Sequence, residues 1–236
     1  MSDPQVPASQ TARLAGALYL LMMPFAAFTL YVRFSSVVAG DPATTASNIL
    51  AAPGLYRAAI VTWLTSQVIS VFLVVQLYRL LKPVDATLAL LMLVLALIGV
   101  PIVFANESHS FAVLLLLQDS LVSVSVEQSA ADLMLQLQLH ERGIGIAQVF
   151  WGLWLFPLGW LVAISGFLPR WLGILLLIAG FGYLFDFFTA AIYPGFGVTL
   201  TQFTFIGELL FPLWLVIKGV KKEGRVSPPS PSGTLT

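Results

Sequence analysis

Cysteine is absent from the 236 residues, histidine occurs only twice, and Asp, Glu, Lys and Arg together make up 9% of the chain. Without cysteine there is no disulfide, no thiolate nucleophile, no iron–sulfur cluster and no Cys-ligated metal. Charge is also even in sign, 11 Lys+Arg against 11 Asp+Glu, so there is no broad basic surface and nucleic acid is not an expected partner. G-x-S-x-G, P-loop and Rossmann fingerprints are missing too, and no cofactor is expected. What remains is apolar: 58% hydrophobic residues and a mean hydropathy of +0.94. Soluble domains carry about 25% charged residues, and a chain this apolar could not hide its surface from water. The composition is that of an all-α integral membrane protein whose first partner is the lipid bilayer.

A helix needs about 20 apolar residues to cross a hydrocarbon core roughly 30 Å thick. Six stretches qualify: 14–32, 58–78, 86–106, 143–166, 171–193 and 199–217. Arg13 and Arg33 bracket the first, which is too long for a secretory signal and reads as a retained helix. Arg57 and Arg79 bracket the second, and Lys82-Pro83 ends it because proline disfavours helical geometry in the residue before it. The third follows Asp85, a suitable N-cap, and stays apolar to Leu117 apart from Gly99, Pro101 and the string Asn106-Glu107-Ser108-His109-Ser110. One long protruding helix and two shorter ones are both open for this stretch. Between residues 118 and 140, Leu133 and Leu137 recur at i and i+4 among polar neighbours, the pattern of an amphipathic extramembrane helix. Gly166 through Pro169 marks one tight turn, and Tyr193-Pro194-Gly195 another. Asp41-Pro42 predicts a short capped helix in the first outer loop. Residues 1–10 and the basic, Pro-rich 221–236 read as disordered tails around one membrane domain, 11–220.

Lys and Arg in short loops stay on the cytoplasmic side. Six crossings with a cytoplasmic start place Arg13, Arg79, Lys82, Arg170, Lys218, Lys221, Lys222 and Arg225 inside, against Arg33, Arg57 and Arg142 outside. A seventh crossing within 104–121 would move Arg170 and the Lys218 to Arg225 cluster outside, reversing the bias. Six spans with both termini cytoplasmic, in a prokaryotic inner (plasma) membrane, is therefore the expected threading. Trp63 falls near the expected outer boundary, and Trp171 and Trp214 near the inner one.

Four patterns occur in order: Arg13-Leu14-Ala15-Gly16-Ala17-Leu18-Tyr19-Leu20; Leu77-Tyr78-Arg79-Leu80-Leu81-Lys82-Pro83-Val84; Gly166-Phe167-Leu168-Pro169-Arg170-Trp171-Leu172-Gly173; and Gly207-Glu208-Leu209 with Trp214-Leu215-Val216-Ile217-Lys218-Gly219. Together they resemble the bacterial and archaeal membrane family catalogued as domain of unknown function 4386, over about residues 11–220. The resemblance implies a multi-span helical protein. It brings no established activity and no catalytic residues to carry over.

Ionisable groups at membrane depth are costly and need a reason. Counting helical rise, Glu208 lies ten residues from Lys218, about 15 Å in, and Asp186 sixteen residues from Arg170, about 24 Å in. Arg57, Glu107, His109, His140 and Arg142 gather near the expected outer edge. Three readings compete. In the plainest, Arg57 and Arg142 pair with Glu107, Glu141 or Asp186 at the interface. In the second, Arg57, Glu107, His109, His140, Arg142, Asp186 and Glu208 line an outward-facing pocket for a small molecule, ion or lipid headgroup, with Pro24, Pro101 and Pro157 bending the helices around it. In the third, His109 and His140 with Glu107 or Asp186 hold a divalent metal for hydrolysis. That donor count suits zinc, but the spacing matches no zinc motif, so the balance leans away from an enzyme. A structural subunit with partner-covered glycine-rich faces is a further alternative. Ala15-Gly16-x-x-Tyr19-Leu20 recurs as Ala179-Gly180-x-x-Tyr183-Leu184, which reads as helix packing or chance because the residue counts place the two tyrosines at different depths.

The threading is testable by fusion after residue 220. A reporter active only outside the cytoplasm should stay silent there, and signal from it would overturn the even number of crossings.

Overall fold

The computed structural model describes residues 8–118, 126–193, 195 and 197–220. Within them the chain is helical: α1 Ala8–Ser36, α2 Pro42–Ala51, α3 Pro53–Leu81, α4 Ala86–Gln118, α5 Val126–Leu153, α6 Leu155–Ile164, α7 Arg170–Ile192, α8 Thr201–Thr204 and α9 Ile206–Ile217. Five stretches are long and apolar enough to cross a membrane: α1, α3, α4, Gln128–Ile164 through the α5–α6 joint, and α7. The bulk of both expected tails, residues 1–7 and 221–236, lies outside the described residues.

Local chemistry explains most boundaries. Asp41 caps α2, its carboxylate accepting the backbone N–H of Thr44 at 2.9 Å and the Thr44 hydroxyl at 2.6 Å, with Pro42 at the first helical position. Those hydrogen bonds also hold the exposed Asp41 carboxyl below its ordinary range. Asp85 opens α4 in the same way, accepting from the N–H groups of Thr87 and Leu88 at 2.9 Å each. Gly166 takes the left-handed conformation (φ 73°) in the turn before Pro169, which precedes α7. The α5–α6 joint falls at Trp154, where Pro157 has no N–H to give the carbonyl of Leu153.

Of the two forms open for residues 86–118, the structure takes the single helix, α4, with Pro101 inside it. At about 1.5 Å per residue α4 is roughly 50 Å long and outruns a bilayer core. Residues 126–140 run unbroken into the apolar part of α5, while 119–125 of the expected amphipathic segment lie outside the described residues. Leu133 and Leu137 there pack with Ile49, Tyr56, Ile60, Val113 and Leu114, so α2, the start of α3, the end of α4 and the start of α5 share a core. The stretch 199–217 is not one helix: it divides at Phe205 into α8 and α9, and Thr201–Ile217 is short for a crossing. Gly207 presses against the backbone of Leu175 beside this break.

The larger core gathers Ala12, Ala15 and Tyr19 of α1, Leu77 and Leu81 of α3, Met92 of α4, Leu158 of α6, Leu172 and Leu176 of α7, and Phe211 and Leu215 of α9. Residues near the starts of α1, α4 and α7 thus meet residues near the ends of α3, α6 and α9, and Arg13, Lys82, Arg170 and Lys218 mark one basic end of the bundle. Trp171 and Trp214 stack edge to face there, 5.8 Å apart. Trp63 instead packs edge to face on Trp151 at 6.0 Å.

Small residues permit this packing, because lipid supplies no hydrophobic drive between helices and close backbone approach must replace it. Gly159 of α6 and Gly173 of α7 face each other with no space for a Cβ on either. Gly173→Ala is therefore expected to lower thermal stability in detergent by about 1–3 kcal/mol. Gly54→Ala, where nothing lies within 4 Å, should leave it unchanged; equal midpoints for wild type and Gly173→Ala would refute this packing.

Candidate functional site

Among the described residues, two clusters form around buried glutamates within the bundle. The first joins α1, α4 and α5 at the end away from the basic residues. Arg33, on the last turn of α1, donates through Nη2 to both oxygens of Glu107 at 2.8 and 3.1 Å and to Ser110 Oγ at 3.2 Å. Its Nη1 lies 3.1 Å from His140 Nδ1, and His140 Nε2 lies 2.8 Å from Glu107 Oε1. A guanidinium can only donate, so Nδ1 is the acceptor and Nε2 carries the hydrogen given to Glu107. Asn106 Nδ2 donates to the His140 carbonyl at 2.9 Å, tying α4 to α5, and Gly143 leaves the space that the Asn106 side chain occupies. Glu107 is fully buried, and both of its oxygens accept hydrogen bonds.

The second cluster lies midway along the bundle, where α1 and α7 flank α9. The Tyr19 hydroxyl donates to Glu208 Oε2 at 2.7 Å. Tyr183 of α7 faces the same carboxyl. Glu208 is 7% exposed, and its Oε1 has no hydrogen-bond partner among the described residues. Aromatic rings surround the site: Trp154 is 6.3 Å from Tyr19, and Trp151 is 6.5 Å from Tyr183. Unlike Glu107, Glu208 has no cationic neighbour within ion-pair distance among the described residues.

The model of the family described as domain of unknown function (DUF4386) matches residues 14–219. The chain belongs to that family. An uncharacterized protein of Archaeoglobus fulgidus is 44% identical to this DUF4386 chain over 86 residues, which are 36% of this chain and 52% of that protein. The match thus spans about half the length of that relative. No solved structure matches the chain.

The seven expected pocket residues of this DUF4386 member do not share one cavity. Glu107 and His140 meet, but in a cluster closed by Arg33. Arg57 and Arg142 are exposed and pair with none of the carboxylates expected for them; Arg33 has taken Glu107 instead. His109 points to Gln136, 2.7 Å from Nδ1 to Oε1. Asp186 accepts the N–H groups of Leu200 and Thr201 at 2.6 and 2.9 Å, closing the connection into α8. The three histidine and aspartate candidates for a metal are therefore held in three different hydrogen-bond settings, and among the described residues no three His, Cys, Asp or Glu side chains are grouped to hold an ion.

The structure adds Arg33, Asn106 and Ser110 to the first cluster, and Tyr19 and Tyr183 to the second. The repeated Ala-Gly-x-x-Tyr-Leu pattern was the sequence signal for both tyrosines. Counting residues from Arg13 and Arg170 separated them, whereas both side chains reach the Glu208 carboxyl.

Removing one member of a buried ion pair strands the other, whereas replacing both with apolar groups is often tolerated. Arg33→Met in DUF4386 is expected to cost about 3–5 kcal/mol. Adding Glu107→Leu should recover much of that loss, measured as thermal midpoints in detergent. Additive losses in the double variant would show that the two side chains are not coupled.

Proposed function

We propose that this protein is a six-crossing plasma-membrane protein, one membrane domain over 11–220 with both termini cytoplasmic, that binds a small ligand through a carboxyl buried between its helices. The sixth crossing is Thr201–Ile217, assisted by the short connection that Asp186 closes. The lysine and arginine distribution supports this threading.

The observation that carries the binding reading is Glu208: buried at mid-bundle, hydrogen-bonded to Tyr19 through one oxygen, with Tyr183 beside it and, among the described residues, no partner within hydrogen-bond distance of the other oxygen and no cation within ion-pair distance. A polar group in hydrocarbon must be satisfied internally or by something bound. The Arg33–Glu107–His140 cluster meets that demand by itself, which supports a structural role in tying α1 to the α4–α5 pair. The site is thus narrower than a broad outward pocket and centres on one acid. Hydrolysis gains no support, because of its donor residues only Glu107 and His140 meet, while His109 and Asp186 lie elsewhere.

Ligand-dependent stability tests this. Sodium, potassium, lithium, ammonium and choline chlorides are titrated against wild type and Glu208→Gln in detergent, matched for ionic strength. At least one is expected to raise the wild-type midpoint and to leave Glu208→Gln unmoved. Identical shifts in both proteins for every salt would remove Glu208 from binding any of these cations.

A further inference from the structure

Thr201, Thr204 and Glu208 stand at i, i+3 and i+7 through α8 and α9, and such spacings fall on one face of a helical path. At its far end from the basic residues this face begins at Asp186, half-buried, which holds the N–H groups of Leu200 and Thr201. Thr201 Oγ1 is buried and has no hydrogen-bond partner among the described residues. Thr204 follows, lodged against Gly182 of α7 and bonding back to the Leu200 carbonyl at 3.2 Å. Glu208 completes the row with its unpartnered Oε1. Pro212, four residues on, has no N–H for the Glu208 carbonyl, so a second acceptor is freed at the same level. A line of oxygen atoms therefore leads from the end of the bundle to its middle.

The occupant of Glu208 must be small. Gly16 brings α1 against the Pro212 carbonyl, where an added Cβ would sit 2.8 Å away, and Gly207 brings α9 against the Leu175 carbonyl, at 2.7 Å. These contacts hold the neighbouring helices at backbone distance near the acid and leave no width for an organic molecule. The ionisable groups facing Glu208 are Tyr19 from α1 and Tyr183 from α7, and neither brings positive charge.

We propose that Glu208 is a proton-binding site, reached from the Asp186 end of the bundle through Thr201 and Thr204. The proton bonds to Oε1 and neutralises the carboxylate, Tyr19 continues to donate to Oε2, and the new O–H donates to the Tyr183 hydroxyl oxygen. Release breaks that O–H bond, leaves its electron pair on Oε1, and passes the proton along the threonine hydroxyls or intervening water. Under the proposed threading, the Asp186 end faces the outside. This inference rests on Glu208 being the binding element and goes further by naming what it binds.

Infrared spectroscopy of the full chain in lipid reads the proton directly. Wild type should show the C=O stretch of a protonated carboxylic acid, absent in Glu208→Gln and shifting on transfer to D2O. In Thr201→Val and Thr204→Val, which keep side-chain size, the band should persist and its deuterium shift should slow roughly tenfold, as for the loss of one hydrogen-bonded step. Absence of the band in wild type, or its survival in Glu208→Gln, overturns the proton site; undiminished exchange in both threonine variants overturns the route. A salt-induced stabilisation lost in Glu208→Gln but with no such band would leave the binding reading standing and remove the proton alone.

Discussion

A carboxyl group inside a bundle that faces lipid has no water to fall back on, and this demand for internal partners shapes the molecule more than any other. The two buried glutamates answer it in opposite ways. Glu107 is surrounded by donors from three helices: Arg33 from α1, His140 from α5 and its own helical neighbour Ser110, close by on α4. Both of its oxygens are satisfied, and that turns it into a tie between segments far apart in sequence. Glu208 has one hydroxyl on one oxygen, a second tyrosine nearby and, among the described residues, no positive charge within ion-pair distance. Apolar packing, abundant throughout the bundle, cannot repair that deficit.

The membrane class and most helices were legible because a hydrocarbon core imposes a length that apolar runs reveal directly. Leu14 to Val32 and Ala58 to Tyr78 lie within α1 and α3, and the caps at Asp41 and Asp85 are local events that sequence records well. The run from 199 to 217 misled for the same reason: it is apolar throughout, and hydropathy does not register a break at Phe205 where Gly207 lets α9 meet α7.

Arg33 shows the limit for the site. As a charge bracketing the first apolar run it reads as a boundary marker, and it does stand at the end of α1; that its guanidinium turns to Glu107, 74 positions later, is a property of helix packing alone. The tyrosines show the reverse. Their repeated motif carried real information, since Gly16 and Gly180 each allow a close helix contact and the tyrosine one turn later in each motif reaches Glu208. Glycine and tyrosine at i and i+3 share a face, so one short pattern serves both packing and polarity.

The length of α4 has a mechanical consequence. With about 50 Å of helix against roughly 30 Å of hydrocarbon, an upright α4 under the proposed threading would leave some two-fifths of its length clear of the lipid, braced by α5 alongside. The Arg33–Glu107 ion pair lies toward the projecting part of this pair, so any load on the protruding arm is delivered as leverage on the charged joint that, among the described residues, connects it to the first helix.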